Sequence, residues 1–483
     1  MTLPEGHLGA GSSRPRFGKR LVALSAAIGC VVALAAVLAA GAPAQGSASK
    51  AKPWCHPGKL TVTVFNFSEI PFKGALAGFR KYCPGVKVSY AIQTTNPTYV
   101  TALQTQKIAG NLTDIIETYD SLAPTLEVAG LVKSLTPYLN KKAFYPANYW
   151  LKGMSQSYIP PPGSQPKSFV GQQFFVPIEA DATVFYVNLK ALSAAHFTIS
   201  GSAHTSVTAA GGTIGNDWTW AQAEIVWKAL THGSTYGVCE RPDWQAQWNP
   251  FILAHGDTAM SALKPNLNGQ GSQAAFALML EPLQNGSNVP FATEQKDGGE
   301  CSPSFASGLA AMGIGVRGNL PGFQESLGAS SFDVLPMPTI PTPKGQVRAT
   351  GGGSVAWGLS SGVKNTAQAL DFLHWFFSPV GYAAAEATYG IVPAVTSIAA
   401  DPKALWARLP KNPPNNAAFT IAANSVLAIA PQAPGNVFSN SRTTIPNAIE
   451  AVLAGKNLKS SLDDLQSQTV ADYKAALIPK PAP

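Results

Sequence analysis

Gly358-Leu359-Ser360-Ser361-Gly362 has the G-x-S-x-G spacing that presents a serine nucleophile on a sharp turn after a strand, and a strand-like run from Val355 to Leu359 leads into it. Such a serine needs an acid and then a histidine downstream. Only His374 follows, on the very next helical stretch, so nucleophilic catalysis is not expected. The seven histidines are scattered, without H-E-x-x-H or another ligand spacing, and no metal site or cofactor is expected. There is no G-x4-G-K-[ST], since Gly18-Lys19 is followed by Arg20, so the chain does not hydrolyse ATP through a P-loop. Asp120 and Asp181 could face each other as the paired carboxylates of glycoside hydrolysis, but nothing selects them as acid and base.

Recognition without turnover uses other groups. Flat aromatic rings cover the apolar face of a polyhydroxylated solute, while Asp, Glu, Asn and Arg make paired hydrogen bonds to its hydroxyls. In an open α/β sheet the ligand sits outside the carboxyl ends of the strands. Asn66 and Phe67 end the first expected strand, Tyr119 and Asp120 the third, and Arg317 follows the strand around Met312. Gly351-Gly352-Gly353 would let backbone approach a ligand closely. Plainer roles stand beside these. Asp120 would also cap a helix beginning at Ser121, and Arg317 would serve in an ion pair between domains. Trp220, Trp227, Trp357 and Trp375 read as packing residues.

The elements that must position these residues alternate strand and helix in the first half, which predicts a parallel sheet with helices on both faces. Leu60 to Phe67 and Val86 to Ile92 are the first two strands, and Asp114-Ile115-Ile116 opens a third ending at Tyr119-Asp120. Phe175 to Asn188 reads as strand, turn, strand. Thr219-x-x-Gln222 has capping-box spacing before a helix carrying Trp220, Ile225, Trp227 and Leu230. Residues 200–217, Pro160 to Lys167 and Lys411 to Asn416 read as surface loops. The C-terminal third is mostly helical.

The 483 residues are 46% hydrophobic and only 12% charged, which fits a globular chain with a large core. Arg14, Arg16, Lys19 and Arg20 precede an apolar run from Leu21 to Ala40, and Ala42-Pro43-Ala44 follows: the layout of a secretory signal over residues 1–44. The run is also long enough to stay as an uncleaved anchor, and Ala27-Ile28-Gly29-Cys30 loosely resembles a lipoprotein box. Removing residues 1–44 takes away four basic side chains and one acidic one, lowering the formal charge from +8 to +5. No dense Lys/Arg run with interleaved aromatics occurs, so nucleic acid is not an expected partner. Outside the leader, Cys55, Cys83, Cys239 and Cys301 would face an oxidising compartment and allow three pairings. Cys55–Cys83 with Cys239–Cys301 is favoured, because Cys55 and Cys83 enter strands that should be neighbours.

Several short runs fall in a familiar order: Cys83-Pro84-Gly85, Ala129-Gly130-Leu131-Val132, Pro177 with Val184-Phe185-Tyr186-Val187-Asn188, Gly308 with Met312, the Gly351 to Gly353 run, and Gly390-Ile391-Val392-Pro393. That order resembles the extracellular solute-binding proteins of ABC importers, the family that includes maltose-binding protein. The resemblance implies a two-lobed periplasmic-binding-protein-like (type II) α/β fold with a hinge and an interlobe ligand cleft. It implies a binder rather than an enzyme, carrying a solute, most readily a sugar or oligosaccharide, to membrane permease subunits, as a monomer outside the cytoplasmic membrane. One lobe would span residues 55–180 plus 339–388 and the other 181–338 plus 389–483. The hinge would lie near Ile178 to Ala182, Leu335 to Ile340 and Thr388 to Pro393. In this family the turn after Gly358 is an ordinary strand-to-helix connection. The resemblance also implies ligand contacts from Asp181 with Glu179 beside it, from Trp244 and Trp248, and from Asn440 and Arg442 before a C-terminal helix. Arg317 stands where sugar binders often have an aromatic residue, and with the glycine run it leaves a small anionic solute as the alternative ligand.

Overall fold

The computed structural model describes residues 54–94, 98–139, 145–160, 164, 166–260, 264–296, 301–386, 391–409, 412–427, 433 and 437–477. The leader with its cleavage site and Cys30 lies outside these residues, as do Thr388 to Gly390 of the expected hinge and Lys411. Among the described residues no helix is long and apolar enough to cross a membrane.

Alternating strand and helix at the start of the chain build a first sheet. β1 (Gly58–Phe65), β2 (Val86–Gln93) and β3 (Ile115–Tyr119) lie parallel in the order β2-β1-β3. The helix Glu69–Tyr82 between β1 and β2 buries Phe72, Ala75, Leu76 and Phe79. Steps of three and four residues place all four on one face. Phe72, Leu76 and Phe79, fully buried, each contribute about 1.5–3 kcal/mol. Asp114 locks the entry to β3. Its carboxylate accepts hydrogen bonds from the Thr61 amide at 2.9 Å and from the Lys364 and Asn365 amides at 2.9 and 3.0 Å. Burial works against ionising it, but these bonds prevail and hold it below the usual aspartate value.

β4 (Phe175–Pro177) lies at the far edge of the first sheet, and the chain continues without a break through β5 (Asp181–Ala182) into β6 (Val184–Asn188). Residues 200–217 do not form a plain loop. β7 (Phe197–Ile199), β8 (Ser206–Thr208) and β9 (Gly211–Ile214) make a small sheet in the order β7-β9-β8. Val207 and Ile214 supply strand-forming side chains, and a Cβ at Gly212 would come within 2.1 Å of the Ser206 carbonyl, so glycine permits the β8–β9 approach. The capping box at Thr219 and Gln222 forms as its spacing predicts and starts the helix Trp220–Leu230.

β10 (Tyr236–Cys239), β11 (Ala310–Gly315) and β12 (Phe332–Pro336) join β6 in a second sheet, ordered β10-β11-β6-β12. Along β6 the faces alternate. Phe185 and Val187 pack with Trp218, Trp227, Trp248 and Met312 on one side, and Val184 and Tyr186 with Phe323, Phe332, Trp406 and Phe419 on the other. The hairpin of β13 (Thr339–Thr342) and β14 (Gly345–Arg348) follows, and Ile340 and Ala349 pack into the second sheet's core. β15 (Gly352–Gly353) pairs with β5, and β16 (Val355–Leu359) inserts between β3 and β4. The first sheet is therefore mixed rather than wholly parallel. β16 reaches it from the second sheet and so runs opposite to β3. A third extended segment follows: the Ala180 amide donates to the Val392 carbonyl at 2.9 Å and the Leu151 amide to Ala394 at 2.7 Å. Ile391, Ala394, Val395 and Ile398 pack into the first sheet's core. The C-terminal helices Val437–Leu453 and Leu458–Leu477 cover the second, through Ile445, Ile449, Leu462 and Leu465.

Both favoured disulfides form, with Cα separations of 5.4 Å for Cys55–Cys83 and 5.6 Å for Cys239–Cys301. Their partners are 28 and 62 residues apart in sequence. Closing a loop of the longer kind restricts the unfolded chain by about 4 kcal/mol. Replacing Cys239 and Cys301 by serine should lower the urea stability by about that amount, and the Cys55/Cys83 replacement by slightly less.

Candidate functional site

Extended backbone places Glu179 and Asp181, two residues apart, on the same side of the strand that crosses between the sheets. The Ser354 hydroxyl donates to the Glu179 carbonyl at 3.0 Å, and β15 pairs Gly353 with Asp181. From the second sheet, the turn Arg317–Asn319 after β11 brings the Gly318 amide to Asp181 Oδ1 at 3.4 Å. Asn319 Oδ1 holds that turn by accepting from the Val316 amide at 2.8 Å. From the first sheet come Tyr119 at the end of β3, Val355 and Trp357 of β16, and Ser68, Pro71 and Phe72 at the start of the first helix. With Ile178, Ser354, Phe376 and Ile391 these groups enclose a cavity of about 300 Å³ beside the crossing segments. Aromatic and aliphatic walls surround two carboxylates, a combination suited to binding a solute with one apolar face and several hydroxyls.

The carboxylates are strongly perturbed. Burial raises Glu179, and the neighbouring charges of Asp181 and Glu117 raise it further. Burial also raises Asp181, against the Gly318 amide and the Arg317 charge. Beneath the cavity Glu117 is fully buried and accepts from the Phe65 amide. Burial pushes it up to about 8, opposed by that amide and by the Ser68 and Trp357 side chains. Asp120 is pushed up to about 7 by burial, opposed by the Ser121 amide and the charge of Arg442.

Of the residues read from the sequence, Tyr119, Glu179, Asp181 and Gly353 come together in the cavity wall. Gly352 has a different role. A Cβ there would lie 2.2 Å from the Asp181 carbonyl, so this glycine lets β15 approach β5, whereas a Cβ at Gly353 meets nothing within 4 Å. Gly352→Ala should therefore cost 1–3 kcal/mol in urea unfolding, of order an overpacked site, while Gly353→Ala should change it by less than about 0.5 kcal/mol. Asp120 sits just behind Tyr119, 3% exposed. Its Oδ1 accepts the Ser121 amide at 2.7 Å, and its Oδ2 is buried without a hydrogen bond. Arg442 and Asn440 are exposed on the helix Val437–Leu453. Arg442 packs on the Phe438 ring at 5.7 Å, and its charge acts on Tyr119 and Asp120.

The others lie elsewhere. Asn66 is exposed in the turn after β1, and the Phe67 side chain is outside the described residues. Arg317 is 2% exposed and turned away from the cavity. Its guanidinium donates to Asn416 Oδ1 at 2.8 Å, Asn412 Oδ1 at 2.9 Å and the Trp406 carbonyl at 3.3 Å, between the rings of Trp406 and Phe419. Trp248 is buried in the second core with its indole N–H on the Asp243 carbonyl, and Trp244 is half-buried under Arg241. Neither lines the cavity. Ser360 is fully buried, and His374 is stacked between Trp54 and Tyr145, at 4.2 and 4.8 Å. Trp357, read as a packing residue, and Phe72 and Phe376, not singled out, complete the wall, because a ring that packs and a ring that also faces a cavity look alike in sequence.

The buried acids make a pH dependence. Glu117, Asp120 and Glu386, the last pushed up to about 7 mainly by burial, all titrate above their unfolded values. The native chain then binds more protons than the unfolded chain from about pH 4 upward. Their contribution is fully present below about pH 4 and is lost as the pH rises through 7 to 8. Unfolding midpoints in urea should fall between pH 6 and pH 9, and Glu117→Gln should flatten the decline.

The family profile described as bacterial extracellular solute-binding protein matches residues 74–414. The chain belongs to that family. Solved structures of the same fold include an ABC substrate-binding protein from Listeria monocytogenes in complex with cycloalternan. It shares 17% identity over 87% of this chain and 100% of that one, with a TM-score of 0.66. An extracellular solute-binding protein from Staphylococcus aureus in complex with maltose shares 17% over 88% and 100%, TM-score 0.65. A sugar transporter from Rhizobium etli in an open conformation shares 19% over 86% and 99%, TM-score 0.67. No curated protein sequence matches. Similarity to these structures establishes the two-lobed fold of this solute-binding protein, and the cavity lies where its crossing strands meet.

Proposed function

We propose that the protein captures a carbohydrate in the cavity beside the crossing strands and delivers it to the membrane permease subunits of an ABC importer. The observation that carries this reading is the cavity itself. Tyr119 offers ring surface, backed by the buried rings of Phe72, Trp357 and Phe376, and Glu179, Asp181 and the Gly318 amide offer hydroxyl partners from the crossing segments and the second sheet. Saccharide ligands in similarly folded proteins support the same class. The first lobe would comprise the first sheet and its core, including residues 391–398, and the second lobe the second sheet with the β13–β14 hairpin. The hinge would be the β5–β15 ladder with Val392 and Pro393, where backbone rotation brings Gly318 and Arg442 toward Tyr119. Binding would shift the population toward the closed form that docks on the permease. The protein would act as a monomer, outside the cytoplasmic membrane, without catalysis. Arg317, engaged by Asn412 and Asn416, does not supply the cation that a small anionic solute would need.

A thermal-shift screen of residues 45–483 against mono- and oligosaccharides, polyols, amino acids and small anions tests this. A ligand at about a thousand times its Kd adds roughly 4 kcal/mol of stability. A rise with one saccharide class is expected. A rise only with amino acids or anions would overturn the carbohydrate assignment.

A further inference from the structure

The ionisable groups that line the cavity are Glu179, Asp181 and Tyr119, with no Lys, Arg or His among the described lining residues. Among the described residues, Glu179's carboxylate makes no hydrogen bond and Asp181's receives only the Gly318 amide. Around them, Glu117 lies below, and Asp120 lies behind Tyr119 with Oδ2 unbonded. Two cations act from outside the wall. Arg317, shared with Glu386, acts on Asp181, and Arg442 acts on Asp120 and Tyr119.

From this arrangement we infer that the cavity selects saccharides carrying a protonated amine, with the ammonium seated between the Glu179 and Asp181 carboxylates. The inference rests on the carbohydrate reading and narrows it. A neutral sugar entering the cavity excludes water from two like charges held two residues apart on one face, and leaves their repulsion in place. An ammonium supplies three donors and the missing charge in the same space. The upward displacement of both carboxyls by burial, and of Glu179 also by the Asp181 charge, agrees with a site that is short of positive charge. A neutral sugar can relieve the remaining repulsion only through a proton, whereas an amino sugar relieves it with its own charge.

The experiment is isothermal titration calorimetry of residues 45–483 with glucosamine and its β-1,4 dimer, against N-acetylglucosamine, N,N′-diacetylchitobiose, glucose and cellobiose. It is run at pH 7 and pH 5, in two buffers of different ionisation enthalpy. At pH 7 the amine form should bind at least tenfold more tightly than its neutral counterparts. That preference should shrink at least fivefold at pH 5, and Glu179→Gln should reduce the ratio at least fivefold at pH 7. Asp181→Asn provides a second variant, and urea unfolding confirms that each is folded. Neutral sugars binding as tightly as amines, or a preference unchanged in both variants, would overturn the inference and leave the carbohydrate reading intact. Binding of no saccharide in this set and the wider screen would overturn both.

Discussion

Arg317→Ala should lower the unfolding free energy by about 3–5 kcal/mol, a loss of the size seen when one partner of a buried, hydrogen-bonded charge is removed. The guanidinium joins the turn after β11 to residues 406–419 through Asn412, Asn416 and the Trp406 carbonyl, and fills the space between two rings. Alanine leaves those polar groups facing a void and takes a positive charge away from Asp181 and Glu386, both already raised by burial. The deficit should therefore grow as the pH rises and these carboxyls ionise. Arg317→Met should recover the packing but not the hydrogen bonds, and fall between alanine and wild type. Urea titrations at pH 6 and pH 8 separate the two contributions. A loss below about 1 kcal/mol would mean that residues 406–419 are held by apolar packing alone.

Gly353→Trp should weaken saccharide binding at least 100-fold, about 2.7 kcal/mol, while shifting the unfolding free energy by less than about 0.5 kcal/mol. Gly353 lines the cavity, its backbone does not lie in the left-handed region, and its Cβ position is open. The indole would occupy ligand space rather than displace structure. Calorimetry on the variant and on Gly353→Ala, which should bind like wild type, distinguishes filling of the cavity from a general effect at β15.

Much of this was legible before the structure, for reasons that particular residues make plain. A strand ending in Tyr119-Asp120 puts polar groups where α/β sheets leave room for ligands, the family resemblance pointed to Asp181 with Glu179 beside it, and three of these four line the cavity. The Cys55–Cys83 disulfide followed from two cysteines that enter neighbouring strands, which left Cys239 with Cys301. What local pattern does not encode is the direction of a long side chain and the company a ring keeps. Arg317 ends a strand as a ligand residue would, yet Asn412 and Asn416, about a hundred residues later, turn its head away. Trp248 and Trp357 are both aromatic residues in apolar surroundings. Trp248 is sealed in the second core, while Trp357 forms part of the cavity wall. Gly318 contributes a backbone amide, which no side-chain pattern announces. Residues 200–217 looked like a loop because Gly, Ser and Thr dominate them, yet pairing of β8 and β9 across Gly211 and Gly212 makes a sheet.

A crystal structure of residues 45–483 with the saccharide that gives the largest thermal shift tests directly whether a carbohydrate binds beside the crossing strands. A sugar ring is expected against Tyr119 and Trp357, with hydrogen bonds to Glu179 and Asp181. A sugar held elsewhere, with this cavity filled only by water, would contradict it.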